Sequence, residues 1–124
     1  QKVGKIRMKG QDIFKQAVTK LSQATNSALK ECNLKKDDIN WFVPHQANQR
    51  IILSTAKKLG INEKKTISTV EYHANTSAAS IPLALENAIT SNKILNGNLI
   101  GLHAIGGGLS WGASIIRIGK PKIL

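Results

Sequence analysis

Stretches whose apolar residues recur every three or four positions alternate with short continuous apolar runs along this chain. That alternation restricts the fold more than any single residue does, because the two periods belong to helices and strands that must cover each other. From Gln11 to about Glu31 the apolar set is Ile13, Phe14, Ala17, Val18, Leu21, Ala24, Ala28 and Leu29, an amphipathic helix. Lys35-Lys36-Asp37-Asp38 breaks it, and Ile39 to Val43 is a short strand ending at Pro44. Gln46 to Leu59 reads as a helix closed by Gly60, with Ile51, Ile52, Thr55, Ala56 and Leu59 on one face. Thr66 to Tyr72 is rich in strand formers. Ser77 to Ile89 is a third helix, with Ala78, Ile81, Leu85, Ala88 and Ile89 inward and Pro82 expected to kink its first turns. Leu99 to Ile105 and Ala113 to Ile118, joined by a glycine-rich loop, form an antiparallel hairpin, and residues 2–9 read as extended.

Two strand–helix–strand crossovers imply parallel pairing, and the hairpin adds an antiparallel strand. The expected fold is α/β: helices on the faces of a mixed, mostly parallel sheet. Ligands bind such sheets beyond the carboxyl ends of the strands. Three segments should gather there: Pro44 to Asn48, His73 to Ser77, and Ala104 to Trp111.

Composition removes several function classes. The chain has 124 residues, 41% of them hydrophobic, which suits one domain with a core rather than a disordered tail. The single Cys32 excludes a disulfide framework and a cysteine-rich zinc module, and it fits a reducing, cytoplasmic setting. No apolar run approaches the roughly 18 residues of a membrane span. Lys2, Lys5, Arg7 and Lys9 have no apolar stretch behind them, so the start is not a secretory signal. A first residue of Gln1 rather than Met reads as a cut or incompletely observed product. The net charge of +11 raises nucleic acid, an anionic membrane or an acidic protein as partner, although lysine-rich genomes produce such charge without any binding role. Two Trp, one Tyr and two Phe give no stacking platform for nucleic acid. The basic residues are scattered, without the run of about five or more like charges that marks an interaction tail.

Candidate chemistry sits in the three loop segments. His45 opens a helix, where the positive end of the helix dipole disfavours imidazolium, so a neutral ring would donate through one nitrogen. A ring that merely satisfies a local carbonyl is the other reading. Asn75 occupies the corresponding place after the next strand, and it reads either as a helix cap or as a second neutral donor. Two such donors at one point are how an enolate or oxyanion is stabilised without a metal. Gly106-Gly107-Gly108 is no phosphate loop, since no Gly-Lys-Ser/Thr follows; it is a tight hairpin or a close backbone approach to a ligand. His45, His73 and His103 have no metal-ligand spacing, and Cys32 has no histidine within sequence reach. The chain thus carries candidate acid and oxyanion groups without a nucleophile.

The segments WFVPHQANQRI, HANTSAASIPLALENAI and AIGGGLSWGASIIR resemble the C-terminal half of β-ketoacyl-acyl carrier protein synthase III, and the likeness runs from about Met8 to Ile118. The resemblance implies a thiolase-like fold of two similar αβα halves, with residues 1–124 as the C-terminal domain and the catalytic cysteine in an N-terminal half that this chain lacks. It implies a condensation: an acyl group, commonly acetyl from coenzyme A, is loaded on that cysteine, and malonyl-acyl carrier protein is decarboxylated to an enolate that attacks it. His45 and Asn75 match the enolate-stabilising pair. Gly107 matches the glycine whose N–H helps form the oxyanion hole. Asn48 and Phe14 match positions near the coenzyme A or pantetheine arm. Lys15, Arg50, Lys57 and Lys58 match basic positions presented to the acidic carrier protein. The family also implies a homodimer, no resident cofactor or metal, and no nucleic-acid or membrane partner. Ala74 stands where a glycine is common, and Ile105 where a phenylalanine usually precedes the glycines. The fragment alone is expected to be inactive, and of low stability or self-associated because its apolar face toward the other half is uncovered. A polyketide-type condensing enzyme, a non-catalytic carrier-binding module and a basic nucleic-acid-binding module remain the alternatives.

Overall fold

The computed structural model describes residues 10–119. The expected extended segment 2–9 lies outside the described residues. The first helix, α1 (Gly10–Glu31), buries Ala17, Leu21, Ser22, Thr25 and Leu29, one stripe at helical spacing. Two of these are polar, and both hide their hydroxyls within the helix: Ser22 donates to the Val18 carbonyl at 2.6 Å and Thr25 to that of Leu21 at 2.8 Å. Asn33 adopts φ 53° just past α1, the left-handed turn that lets the chain reverse there.

Strand β1 (Trp41–Pro44) leads to α2 (Gln49–Leu59), and the one-turn helix α3 (Val70–His73) and α4 (Ser80–Thr90) precede the hairpin β2 (Leu99–Gly106) and β3 (Ser110–Arg117). The sheet order is β1-β2-β3. β1 and β2 are parallel, with Phe42 beside Gly101 and Pro44 beside His103. β2 and β3 are antiparallel from Leu99–Arg117 to Gly106–Ser110. A mixed sheet with helices on its faces is therefore present, but it is not the mostly parallel one expected: among the described residues one pairing is parallel and the longer one antiparallel, because only one strand–helix–strand crossover forms.

The alternation of side chains along the strands sorts the core into two faces. On one face Phe42 packs with Leu29 of α1 and with Ala56, Leu59 and Ile61 at the end of α2. On the other, Val43 and Ile100 pack against Ala84 and Ala88 of α4. The Phe42 ring lies so close to β2 that a Cβ on Gly101 would fall 2.5 Å from its Cε1. Lys20 of α1 reaches across to the hairpin, its Nζ 3.8 Å from the Trp111 ring centroid.

Three expectations need correction. The segment from Thr66 to Tyr72 is not a strand: Thr66 makes one isolated parallel bridge to Phe42, and the chain then turns into α3. The Gln46 side chain intervenes, accepting the Thr69 N–H at 2.7 Å and donating to the Ile67 carbonyl at 3.3 Å, so a side chain takes ladder groups that a strand would need. The second helix begins at Gln49 rather than Gln46, because Asn48 caps it by accepting the Ile51 N–H at 2.9 Å. The third is a 3-10 turn, Ser77–Ala79, running into α4. Pro82 falls in the first turn of α4, where its missing N–H has no intrahelical duty, and Ala78 and Ile89 face outward.

Candidate active site

Because β1 and β2 are parallel, their carboxyl ends open on the same edge of the sheet. His45 continues that edge, its N–H donated to the His103 carbonyl at 2.8 Å. The next residues loop outward before α2, and Ala47 packs in a cluster with Ile105, Phe14, Ala17, Leu21 and Ile51. The loop after β1 and the end of β2 thus meet, as expected for two of the three segments. His73 to Ser77, the third, makes no hydrogen bond to either of them among the described residues; the chain returns to the site at Ser80, the first residue of α4. The Ser80 Oγ lies 2.5 Å from His45 Nδ1 and accepts the Gln46 N–H at 3.2 Å.

His45 is not a helix-opening residue, so a helix dipole is not what keeps it neutral. Burial is: desolvation lowers its pKa below the ordinary 6.5. Its ring meets a hydroxyl, not a carbonyl. Gln46 beside it is fully buried and ties the loop after β1 to the segment Ile67 to Thr69, donating also to the Pro44 carbonyl at 2.8 Å.

Asn75 is exposed, and its Oδ1 accepts the Ser77 N–H at 2.9 Å. The bond closes a local turn rather than capping a helix, since Thr76 precedes the 3-10 turn and Ala79 precedes α4, and it leaves Nδ2 without a hydrogen bond among the described residues. The loop is held in unfavourable backbone conformations on both sides: Ala74 has φ 55° and Ser77 φ 54°. Gly107 is an exposed turn residue, and a Cβ there would meet nothing within 4 Å. Gly108, at φ 143°, is the position whose backbone demands glycine.

The residues matched to the substrate arm and the carrier protein lie along α1 and α2. Asn48 spends its oxygen on capping α2, and Phe14 is partly buried beside Ile51. Arg50 lies over the Phe14 ring, Cζ 5.3 Å from its centroid, and Lys58 donates to Thr19 Oγ1 at 3.1 Å. Lys15, Arg50, Lys57 and Lys58 are all exposed, so the two helices share a basic outer face. Cys32 is exposed just beyond α1. No group of three or more His, Cys, Asp or Glu able to hold a metal ion occurs among the described residues.

Sequence reasoning passed over Ser80, Gln46 and His103. His103 is 6% exposed, with Nδ1 3.0 Å from Thr25 Oγ1. Its pKa falls to about 4, first through burial and then through the nearby His45. The Thr25 hydroxyl already donates to Leu21, so it accepts from His103 Nδ1–H. Only the alternation that puts His103 on the helix-covered face with Gly101 and Ile105 hinted at its burial.

The model of the 3-oxoacyl-[acyl-carrier-protein (ACP)] synthase III C-terminal family matches residues 29–118. This chain belongs to that family. It is 53% identical over 117 residues to a β-ketoacyl-[acyl-carrier-protein] synthase III of Rhizorhabdus wittichii, covering 94% of this chain and 37% of that protein. To the solved 3-oxoacyl-[acyl-carrier-protein] synthase III of Aquifex aeolicus VF5 it is similar with TM-score 0.89 and 43% identity, over 94% of this chain and 38% of the other. The priming β-ketosynthase of the R1128 polyketide pathway is similar with TM-score 0.83 and 34% identity, over 93% of this chain and 35% of the other. The synthase III C-terminal fold is thus the thiolase-like arrangement expected, and this chain spans a little over a third of the curated relatives it matches. No described helix is long and apolar enough to cross a membrane.

Proposed function

We propose that this chain is the enolate-stabilising part of an acyltransferase that initiates type II fatty-acid synthesis. The activity joins an acyl-coenzyme A, commonly acetyl, to malonyl-acyl carrier protein. The observation that carries the reading is His45: a half-buried imidazole at the carboxyl edge of the sheet, its pKa lowered by burial and its ring held by Ser80, which follows Asn75 by five residues.

The chemistry follows from those groups. Loss of carbon dioxide from the malonyl thioester leaves its electron pair as an enolate. Neutral N–H donors on His45 and Asn75 stabilise the thioester oxygen as it gains charge, without protonating the carbon that must attack. The enolate carbon then attacks the acyl-cysteine carbonyl; the Gly107 N–H supports the oxyanion, and its collapse expels the cysteine thiolate. That cysteine is supplied from outside this chain, since Cys32 is exposed past α1. The fragment alone is therefore inactive, and the whole enzyme is a cytoplasmic homodimer without a resident cofactor. Phe14 and Asn48 face the pantetheine arm, and the basic face of Lys15, Arg50, Lys57 and Lys58 receives the acidic carrier protein, with an affinity that falls as salt rises.

The test is single-turnover condensation by the full-length protein bearing this sequence, with acetyl-coenzyme A and malonyl-acyl carrier protein. His45→Ala and Asn75→Ala should each lower the rate about a hundredfold or more. Full activity in both variants would refute the reading. A priming polyketide activity is the second reading, supported by the R1128 likeness. It predicts the same losses, with preference for a polyketide carrier protein.

A further inference from the structure

We infer that Ser80 is a positioning residue that decides which ring nitrogen of His45 carries the proton. The argument is one of donors and acceptors. The Ser80 side chain is 2% exposed, and its Oγ has two neighbours at hydrogen-bond distance: the Gln46 N–H and His45 Nδ1. A backbone N–H only donates, so Oγ accepts from Gln46. Were Nδ1 also a donor, Oγ would accept twice, and its own hydrogen would be buried with no acceptor. A buried O–H without a partner is strongly disfavoured. Giving that hydrogen to Nδ1 satisfies all three groups at once. Nδ1 is then the acceptor, and the proton of the neutral ring resides on Nε2.

His103 on the neighbouring strand shows the opposite assignment. It pairs with Pro44 across the sheet, and its Nδ1 must donate, because the Thr25 hydroxyl already serves Leu21. The two histidines therefore carry their protons on different nitrogens, each fixed by a hydroxyl on a helix: Ser80 on α4 for one, Thr25 on α1 for the other.

The catalytic meaning of the His45 tautomer rests on the function proposed above; the tautomer itself does not. It is read by nitrogen-15 spectroscopy of the imidazoles in the full-length protein bearing this sequence at pH 8. The expected result is a single tautomer for His45, with unprotonated Nδ1 and protonated Nε2. In Ser80→Ala the two tautomers should mix, and the His45 titration midpoint should move. Ser80→Thr, which keeps the hydroxyl, should restore the single tautomer. A protonated Nδ1, or fast averaging of both forms, in the unsubstituted chain overturns the assignment. So does an unchanged His45 spectrum in Ser80→Ala. Should that variant lose its folded spectrum, Ser80→Cys decides: it weakens the donor at similar volume, so mixing supports the role of Ser80 and an unchanged tautomer overturns it. The outcomes separate from the functional reading, because a fixed Nε2–H tautomer together with full activity of His45→Ala would retain this inference and refute the other.

Discussion

His45 and Asn75 are matched in proposed role and opposite in support. His45 is held by side chains: Ser80 on its ring, and Gln46 beside it bonded to Pro44, Ile67 and Thr69. Asn75 is held by backbone, between Ala74 and Ser77 at positive φ, with one bond to a neighbouring N–H. Polar atoms follow the same division. Among the described residues five buried side-chain atoms lack hydrogen-bond partners, and four of them, Thr66 Oγ1, Thr69 Oγ1, His73 Nδ1 and Thr76 Oγ1, lie on the segment leading through Asn75; the fifth is Thr55 Oγ1 on α2. One donor is placed by a closed network, and the other by a loop whose bonding this chain leaves incomplete.

The sharpest way to break the comparison is Gln46→Ala. It strips buried partners from Thr69, Pro44 and Ile67, and a loss of about 4 kcal/mol is expected from the orphaned groups and the cavity. Urea denaturation checks it; a cost near that of a surface change would mean that the network does not hold the His45 side. Acid should come next. His103 is neutral when folded, with a pKa of about 4 against 6.5 for the ordinary group, and His45 is lowered in the same direction. The unfolded chain therefore binds protons first. Stability is fully present above about pH 6.5 and falls as pH drops toward 4, by roughly 3 kcal/mol for His103. Thermal melts across that window test it, and His103→Gln should flatten the slope.

On the other side the effects are smaller, and one has the opposite sign. Ala74→Gly removes the penalty of a side chain at φ 55°, ψ −162°, and should stabilise by about 1 kcal/mol after the entropy cost of glycine. A destabilisation in the same melts would show that the loop is not strained there. Asn75→Ala should cost least, about 0.5 kcal/mol, since one exposed bond is lost. A cost approaching that of Gln46→Ala would erase the contrast.

The layered fold was legible because period and alternation report burial directly. Ala17, Leu21 and Leu29 fall on the buried stripe that their spacing announces. Thr66 to Tyr72 misled because strand propensity says nothing of a distant glutamine that captures the Thr69 N–H. The site was legible in part. His45 and Asn75 stand out as chemistry-bearing residues at loop ends, whereas Ser80 looks like any helix-opening serine until the ring of His45 is found against it. His45 was rightly expected to be neutral and for the wrong cause, burial rather than a helix end.

The close approach of Phe42 to Gly101 bears on how the edge of the sheet finds its alignment. Parallel strands have no tight turn to set their relative position, and β1 and β2 are separated by α2, α3 and α4. A slip of one residue would exchange the side chains of the two covered faces, so packing rejects it. A slip of two preserves every face, and burial alone does not notice it. The Phe42 ring does notice. On its face of β2 the neighbours of Gly101 are Leu99 and His103, and each would strike the ring where glycine admits it. The missing side chain is an index mark: it admits one alignment of the two strands, the one that brings the His45 N–H opposite the His103 carbonyl.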